Sequence, residues 1–202
     1  WDAWATVKDA RDTTLTSGFT GSRRGWGKIA YMDTPLNLPA ADGPYLFELY
    51  FTKKADSAVT PPDDSTIEIT GLRVPDQGSS VDLVTTTIQG IPLTIRIAGK
   101  MTDVPRQFSV GQFSGPSVLV SSPKPIPGIL IGVRDDEGNS ETNEWRFPTT
   151  DDIHNALMPF GGNQDPEDPF QPGTPITLTI TRPETLQFKF DAIPERPAAP
   201  QN

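Results

Sequence analysis

The sequence predicts an all-β protein, an antiparallel β-sandwich or jelly-roll-like fold of about nine to ten strands with one short helix. The first observation is a series of short segments in which apolar and polar residues alternate, as they do in half-buried strands. The second is the supply of 22 prolines and 17 glycines, which divide these segments with long loops. The third is the length of 202 residues, which a sandwich or barrel often reaches as one domain.

Alternation predicts four strands directly. The segments 66–70, 93–97, 176–180 and 186–190 each place apolar residues at every second position. One set of side chains should therefore face a core and the other should face water. Only a short segment with Pro183 separates the last two segments, and this spacing predicts a β-hairpin.

Denser apolar or β-branched runs predict the other strands. They lie at 45–51, 81–88, 117–121, 128–133 and 144–147, and the first of them contains Glu48. The last two flank the polar residues 134–143, which indicates a hairpin with an extended tip.

One short helix is predicted at 149–157, where threonines precede Asp151 and Asp152 in the first turn. The residues 158–174 that follow contain much proline and glycine, which predicts a long loop.

Three regions are expected along the chain. Residues 1–28 form an N-terminal arm and a glycine-rich basic loop, residues 29–193 form a single β-sandwich domain, and residues 194–202 form an extended tail. The chain begins at Trp1 rather than methionine, which indicates a processed product or a fragment.

The composition indicates a thin core or a surface that a partner completes. Hydrophobic residues make up 35% of the chain, and the 17 glycines do not raise this to the usual ~45–50%. The net charge of −9 argues against nucleic acid and anionic membranes as partners and favours cationic ones. No apolar run approaches the ~20 residues of a membrane-spanning helix, so membrane insertion is not expected.

The sequence contains few residues that suit catalysis. Because the chain has no cysteine, disulfides and thiolate metal sites are excluded. The single histidine, His154, lies near Asp151 and Asp152, but no serine stands in a G-x-S-x-G motif. A surface histidine is the favoured interpretation, a hydrolase the lesser one, and we expect no enzyme, no cofactor and no bound metal.

Acidic loops leave two further alternatives open. Two carboxylates facing each other across a cleft would suit a glycosidase. Calcium is the second alternative, because it takes oxygen ligands from acid-rich loops. Its candidate ligands are Asp135, Asp136, Asn139 and Glu141 in one stretch and Asp165, Glu167 and Asp168 in another. Neither stretch has the spacing of an EF-hand loop, and solvated loops are the favoured interpretation.

The candidate contact residues lie near the N-terminus. Trp1 and Trp4 are expected to pack on their own domain or on a neighbour. The loop at 21–28 gathers Arg23, Arg24 and Lys28 around Trp26. This loop suits an anion, a sugar or an acidic protein surface, including another copy of this chain. A surface loop whose tryptophan covers the sheet edge is the favoured interpretation.

Two functions are predicted. The first is a non-catalytic structural or assembly protein, a subunit of a larger particle such as a virion, a phage or a surface appendage. Its partners would be other copies or other subunits, in an extracellular or particle-associated location. The alternative is a carbohydrate-binding module that stacks sugars on exposed aromatic residues, namely Trp26, Tyr31, Tyr50 and Trp145.

Overall fold

The computed structural model describes residues 2–20, 44–52, 63–100, 115–143, 154–161 and 168–192. These residues form twelve β-strands and one 3-10 turn at Asp63–Ser65. The strands are β1 (Asp2–Lys8), β2 (Thr14–Thr20), β3 (Tyr45–Thr52), β4 (Thr66–Arg73), β5 (Ser80–Ile88), β6 (Ile91–Ala98), β7 (Ser117–Ser121), β8 (Leu130–Asp135), β9 (Ser140–Asn143), β10 (Asn155–Pro159), β11 (Pro175–Thr181) and β12 (Thr185–Ala192).

The chain divides into two compact units. The first unit takes both ends of the chain, Trp1–Lys53 and Thr185–Asn202, and the second takes the continuous segment Lys54–Glu184. The first unit therefore contains β1, β2, β3 and β12, and the second contains the other eight strands.

The first unit contains one four-stranded antiparallel sheet, sheet I, in the order β12-β3-β1-β2. β3 lies at its centre and pairs β1 along one edge and β12 along the other. The run YLFELYF supplies this central strand, because apolar residues stand on both of its faces. Sheet I places the N-terminal and C-terminal parts of the chain side by side.

The second unit is a β-sandwich of two four-stranded sheets. Sheet II has the order β10-β7-β6-β5, and sheet III has the order β4-β11-β8-β9. Alternating residues from both sheets meet in one hydrophobic cluster, with Leu93 and Ile95 from sheet II and Leu178 and Ile180 from sheet III all at 0% exposure. Phe160 and Phe170 close this core edge to face, with ring centroids 5.4 Å apart.

The all-β, sandwich-like class is confirmed, but the predicted helix is wrong. Of the predicted helix at 149–157, residues 149–153 lie outside the described residues, and residues 155–157 belong to β10. This strand pairs with β7 and buries Ala156, Leu157 and Met158. A two-turn helix is costly to nucleate, whereas pairing with β7 satisfies the backbone and buries three apolar side chains together. The described residues include no α-helix, and their strands number twelve rather than nine to ten.

The hairpin predicted between β11 and β12 is also wrong. Both edges of β11 are already occupied, by β4 and by β8, so it offers no free edge. β12 pairs with β3 instead, where Phe190 lies opposite Phe47 and Leu186 opposite Phe51. Cross-strand aromatic pairs favour this arrangement, and they cannot be recognised from the distance along the chain.

Two local differences concern turns and the N-terminal region. The β8–β9 hairpin is tighter than predicted, because β9 begins at Ser140 and Gly138 turns the chain with φ 94°. Residues 2–20, within the expected arm and loop, form the paired strands β1 and β2.

No helix among the described residues is long and apolar enough to cross a membrane.

Candidate protein-binding surface

One face of β12 carries a row of exposed apolar side chains, which we call the β12 stripe: Leu186, Phe188 and Phe190. Their exposed fractions are 46%, 53% and 47%. The alternation predicted a buried row at these positions. β12 is instead an edge strand of sheet I, with β3 on one side only. The side chains of this row are therefore about half exposed.

Aromatic contacts with β3 hold the stripe in place. The ring of Phe190 stacks on Phe47 with centroids 5.1 Å apart and planes 3° apart. Phe188 meets Phe51 edge to face, with centroids 5.7 Å apart. Such pairs stabilise a sheet by ~0.5–1.5 kcal/mol each beyond their buried area. The rings of Phe188 and Phe190 are therefore held in a defined arrangement against β3.

The opposite face of sheet I carries a polar cluster, the Glu48 network, made of Glu48, Lys8, Lys189, Tyr50 and Gln187. The Glu48 carboxylate is only 5% exposed and forms ion pairs with Lys8, at 3.6 Å, and with Lys189. The Tyr50 hydroxyl donates to Glu48 Oε2 at 3.3 Å and accepts from Gln187 Nε2 at 3.1 Å.

These contacts shift the pKa values of the network. Burial acts to raise the pKa of Glu48, but the hydrogen bond from Lys189 and the charge of Lys8 outweigh it and lower that pKa below its ordinary value. The pKa of Lys8 is raised, chiefly by its hydrogen bond to Asp12. Burial raises the pKa of the Tyr50 hydroxyl, and the Glu48 charge adds to this effect.

The Glu48 network has a structural role in sheet I. It joins side chains of β1, β3 and β12, so a single carboxylate connects three neighbouring strands. Glu48 is ionised and paired with two ammonium groups. Its carboxylate therefore carries no proton to donate and is unsuited to act as a general acid. The Tyr50 hydroxyl, like any tyrosine, is protonated at neutral pH, and its raised pKa makes it still less suited to giving up a proton. The arrangement favours stability over proton transfer.

The predicted contact residues lie partly outside the described part of the chain. Trp1, Arg23, Arg24, Trp26 and Lys28 are outside the described residues. Trp4 is described, and it is 3% exposed. Its indole Nε1 donates to Thr52 Oγ1 at 3.4 Å on β3. Trp4 therefore contributes to the first unit and leaves little side-chain surface for a partner.

His154 lies at the start of β10, where its Nδ1 is 3.2 Å from the carbonyl oxygen of Ser122. Its own carbonyl accepts the backbone N–H of Ser122 at 2.9 Å. Asp151 and Asp152 are outside the described residues. The described contacts of His154 are those of a residue that fixes a strand end.

Of the carboxylates considered for calcium, those of Asp135, Glu141 and Asp168 make internal hydrogen bonds, and Asp165 and Glu167 lie outside the described residues. Asp135 accepts the backbone N–H groups of Glu137, at 3.0 Å, and Asn139, at 2.8 Å, and these contacts close the β8–β9 turn. Glu141 accepts the N–H of Gly161 at 3.1 Å, and Asp168 accepts the N–H of Phe170 at 2.8 Å. Within the described ranges, no group of three or more acidic or histidine side chains is arranged to hold a metal ion.

A shallow groove of about 260 Å³ lies on the outer face of sheet III. Its floor follows one register row across the four strands, from Glu68 through Thr179 and Gly132 to Thr142. Gly132 leaves the groove open, because a Cβ there would lie 3.3 Å from Thr142 Oγ1. Four hydroxyl side chains line the groove together with Arg134, namely those of Ser140, Thr142, Thr179 and Thr181.

Comparison with known proteins gives no match: no family model, no curated protein and no solved structure is significantly similar to this chain.

Sequence reasoning missed both functional features of sheet I. It noted Glu48 inside an apolar strand but gave it no partner, although a buried carboxylate requires a cation. Lys189 in the alternating β12 segment is a suitable candidate. No local signal could show that the β12 stripe is exposed, because exposure depends on the place of β12 at the end of sheet I.

Proposed function

We propose that this protein is a non-catalytic structural subunit of a larger particle, such as a virion, a phage or a surface appendage, and that it assembles through the β12 stripe. The observation that supports this function is the half-exposed row Leu186, Phe188 and Phe190. Contiguous exposed apolar side chains mark protein contact sites on soluble proteins. The low hydrophobic fraction of 35% agrees with a surface that neighbouring subunits complete.

The test is the native mass of the protein, measured by light scattering over a range of concentrations. We expect concentration-dependent association of the native chain. Phe188→Thr should weaken it at least several-fold, because it removes a large apolar contact from the stripe, whereas threonine has a strand propensity that preserves β12.

Leu15→Thr is the matched control. Leu15 is an exposed apolar residue, 38% exposed, on β2 at the other end of sheet I. Its replacement should leave association unchanged. A native protein that stays monomeric at every concentration, or a Phe188→Thr variant that associates as the native chain does, would contradict the proposal.

A second candidate function is carbohydrate binding, which we base on the groove of sheet III. Of the predicted aromatic platform, Trp26, Tyr31 and Trp145 lie outside the described residues, and Tyr50 is 4% exposed and hydrogen-bonded to Glu48. The groove instead offers a row of hydroxyls with Glu68 and Arg134, groups that hydrogen-bond sugar hydroxyls.

Gly132→Ala tests this second function, because the added methyl group occupies the groove floor next to Thr142. If the native protein binds on a glycan array or an affinity gel, this variant should lose most of that binding. Thr94→Ala, an exposed residue on sheet II, is the control. Absence of glycan binding by the native protein would remove this candidate.

A further inference from the structure

β12 offers a strand edge as well as an apolar face. It pairs with β3, and no strand of the described residues lies beside its second backbone edge. Phe188, Lys189, Phe190 and Asp191 are all exposed on this strand. An edge of this kind is a template for another strand, which would add main-chain hydrogen bonds to side-chain contacts.

We propose that the strand added to β12 is β12 of a second copy, antiparallel, with the two-fold axis passing through Phe190. This inference rests on the proposed function and deepens it by naming the partner and the register. The two copies of sheet I would then form one continuous sheet of eight strands.

Charge complementarity selects this register. With Phe190 opposite Phe190, each Lys189 lies directly opposite Asp191 of the other copy, so two opposite-charge pairs form. Lys189 is able to take part, because 54% of its side chain is exposed while it contacts Glu48. Opposite charges facing each other across a strand pair are stabilising, and like charges are destabilising.

The neighbouring registers lack this complementarity. A two-fold axis at Lys189 places the two Lys189 side chains opposite each other. An axis at Phe188 places Lys189 opposite Gln187 and forms no direct ion pair. Each of these shifts keeps the apolar side chains on one face, so charge is the property that distinguishes the three registers.

The apolar face fits the same register. Phe188 lies opposite Ala192 of the other copy, so a large side chain meets a small one on each side of the Phe190 pair. Among the described residues the contact comprises the facing segments 188–192, a size typical of small, transient interfaces below ~1,200 Å². We expect weak dimerisation that becomes strong only where many copies act together.

Cysteine cross-linking tests the register directly, because the native chain has no cysteine. In Phe190→Cys, the two thiols face each other across the axis, within the ~4.4–6.8 Å Cα separation that a disulfide requires. Under mild oxidation at a concentration where the native chain dimerises, we expect a covalent dimer. Circular dichroism checks that the variant is folded.

Two matched variants should not cross-link. In Phe188→Cys the two thiols lie four residues apart along the paired strands, about 13 Å, which is too far for a disulfide. Leu15→Cys lies on β2, outside the proposed contact. Mixing Phe188→Cys with Ala192→Cys should give a mixed dimer, because those positions face each other.

The outcomes separate this inference from the proposed function. A native chain that associates while Phe190→Cys does not cross-link, or cross-links no faster than Phe188→Cys or Leu15→Cys, overturns the register and leaves assembly standing. A native chain that never associates overturns both.

Charge reversal gives a second measurement that does not depend on thiol geometry. Asp191→Lys places like charges opposite each other twice, so the dimer dissociation constant should rise about ten-fold or more. Asp191→Asn should raise it less. An unchanged dissociation constant in Asp191→Lys would overturn the proposed register.

Discussion

Glu48 is the residue on which sheet I depends most. Its carboxylate is buried in a strand that is otherwise apolar, and it is compensated by ammonium groups from two other strands. An uncompensated charge in this position would be strongly destabilising. The pairing of β1 and β12 with β3 therefore brings both lysines to Glu48, and the carboxylate in turn favours that register.

The pH dependence of stability follows from Glu48. Its pKa in the folded protein lies below the ordinary value of 4.5. The ionised carboxylate therefore stabilises the folded state above about pH 4.5, and this contribution is lost as the pH falls through the lower folded value. We expect Glu48→Gln to flatten the fall of unfolding free energy below pH 4.5, measured by urea unfolding at several pH values.

At neutral pH the same variant should lower the unfolding free energy of the first unit by about 1–2 kcal/mol. This is less than the ~3–5 kcal/mol of a fully buried pair, because 54% of the Lys189 side chain is exposed. Glu68→Gln is the control, since Glu68 is an exposed residue on β4. An equal change of slope in both variants would contradict the role given to Glu48.

At the scale of single elements, the sequence predicted strands correctly where alternating apolar residues pack into the hydrophobic core. The segments that became β6 and β11 alternate, and their apolar residues are buried as expected. The segment 81–88, rich in β-branched residues, also became a strand, β5. These elements follow local rules, because each strand has one side on the sandwich core.

The elements that sequence reasoning missed depend on distant partners. β10 was predicted as a helix, and only its pairing with β7 makes a strand of it. β12 was expected to pair with its sequence neighbour, but it pairs with β3, more than a hundred residues away. The candidate site could not be predicted for the same reason, since both the stripe and the Glu48 network require this long-range pairing.

Removal of β12 tests the importance of that pairing. In a chain that ends at residue 184, β3 loses its partner strand, the Phe47–Phe190 stack and the Lys189 ion pair. We expect the amides of β1 and β3 to lose protection against hydrogen exchange, measured by mass spectrometry. The amides of β6 and β7 should stay protected, because their sheet partners lie within the second unit.

The native chain, measured in the same way, is the reference for each strand. Protection of β3 that survives in the shortened chain would show that β12 is not required for sheet I. Loss of protection in β6 and β7 would show that the second unit depends on residues beyond 184.

At the scale of the whole molecule, the second unit is an insertion within the first. The chain leaves the first unit after Lys53 and returns to it at Thr185. The second unit has its own two-sheet core, whereas the described part of the first is a single sheet. The β12 stripe lies on sheet I, and the groove lies on sheet III.

This arrangement also determines the order in which the protein can fold as the ribosome makes it. The last described strand of sheet I leaves the ribosome after the entire second unit, so a nascent chain holds β3 without its partner β12 while that unit is made. Translation at ~5–20 residues per second makes this interval several seconds to tens of seconds. During that time the edge that β12 will cover is accessible to chaperones, and to the strands of other nascent chains on the same messenger RNA.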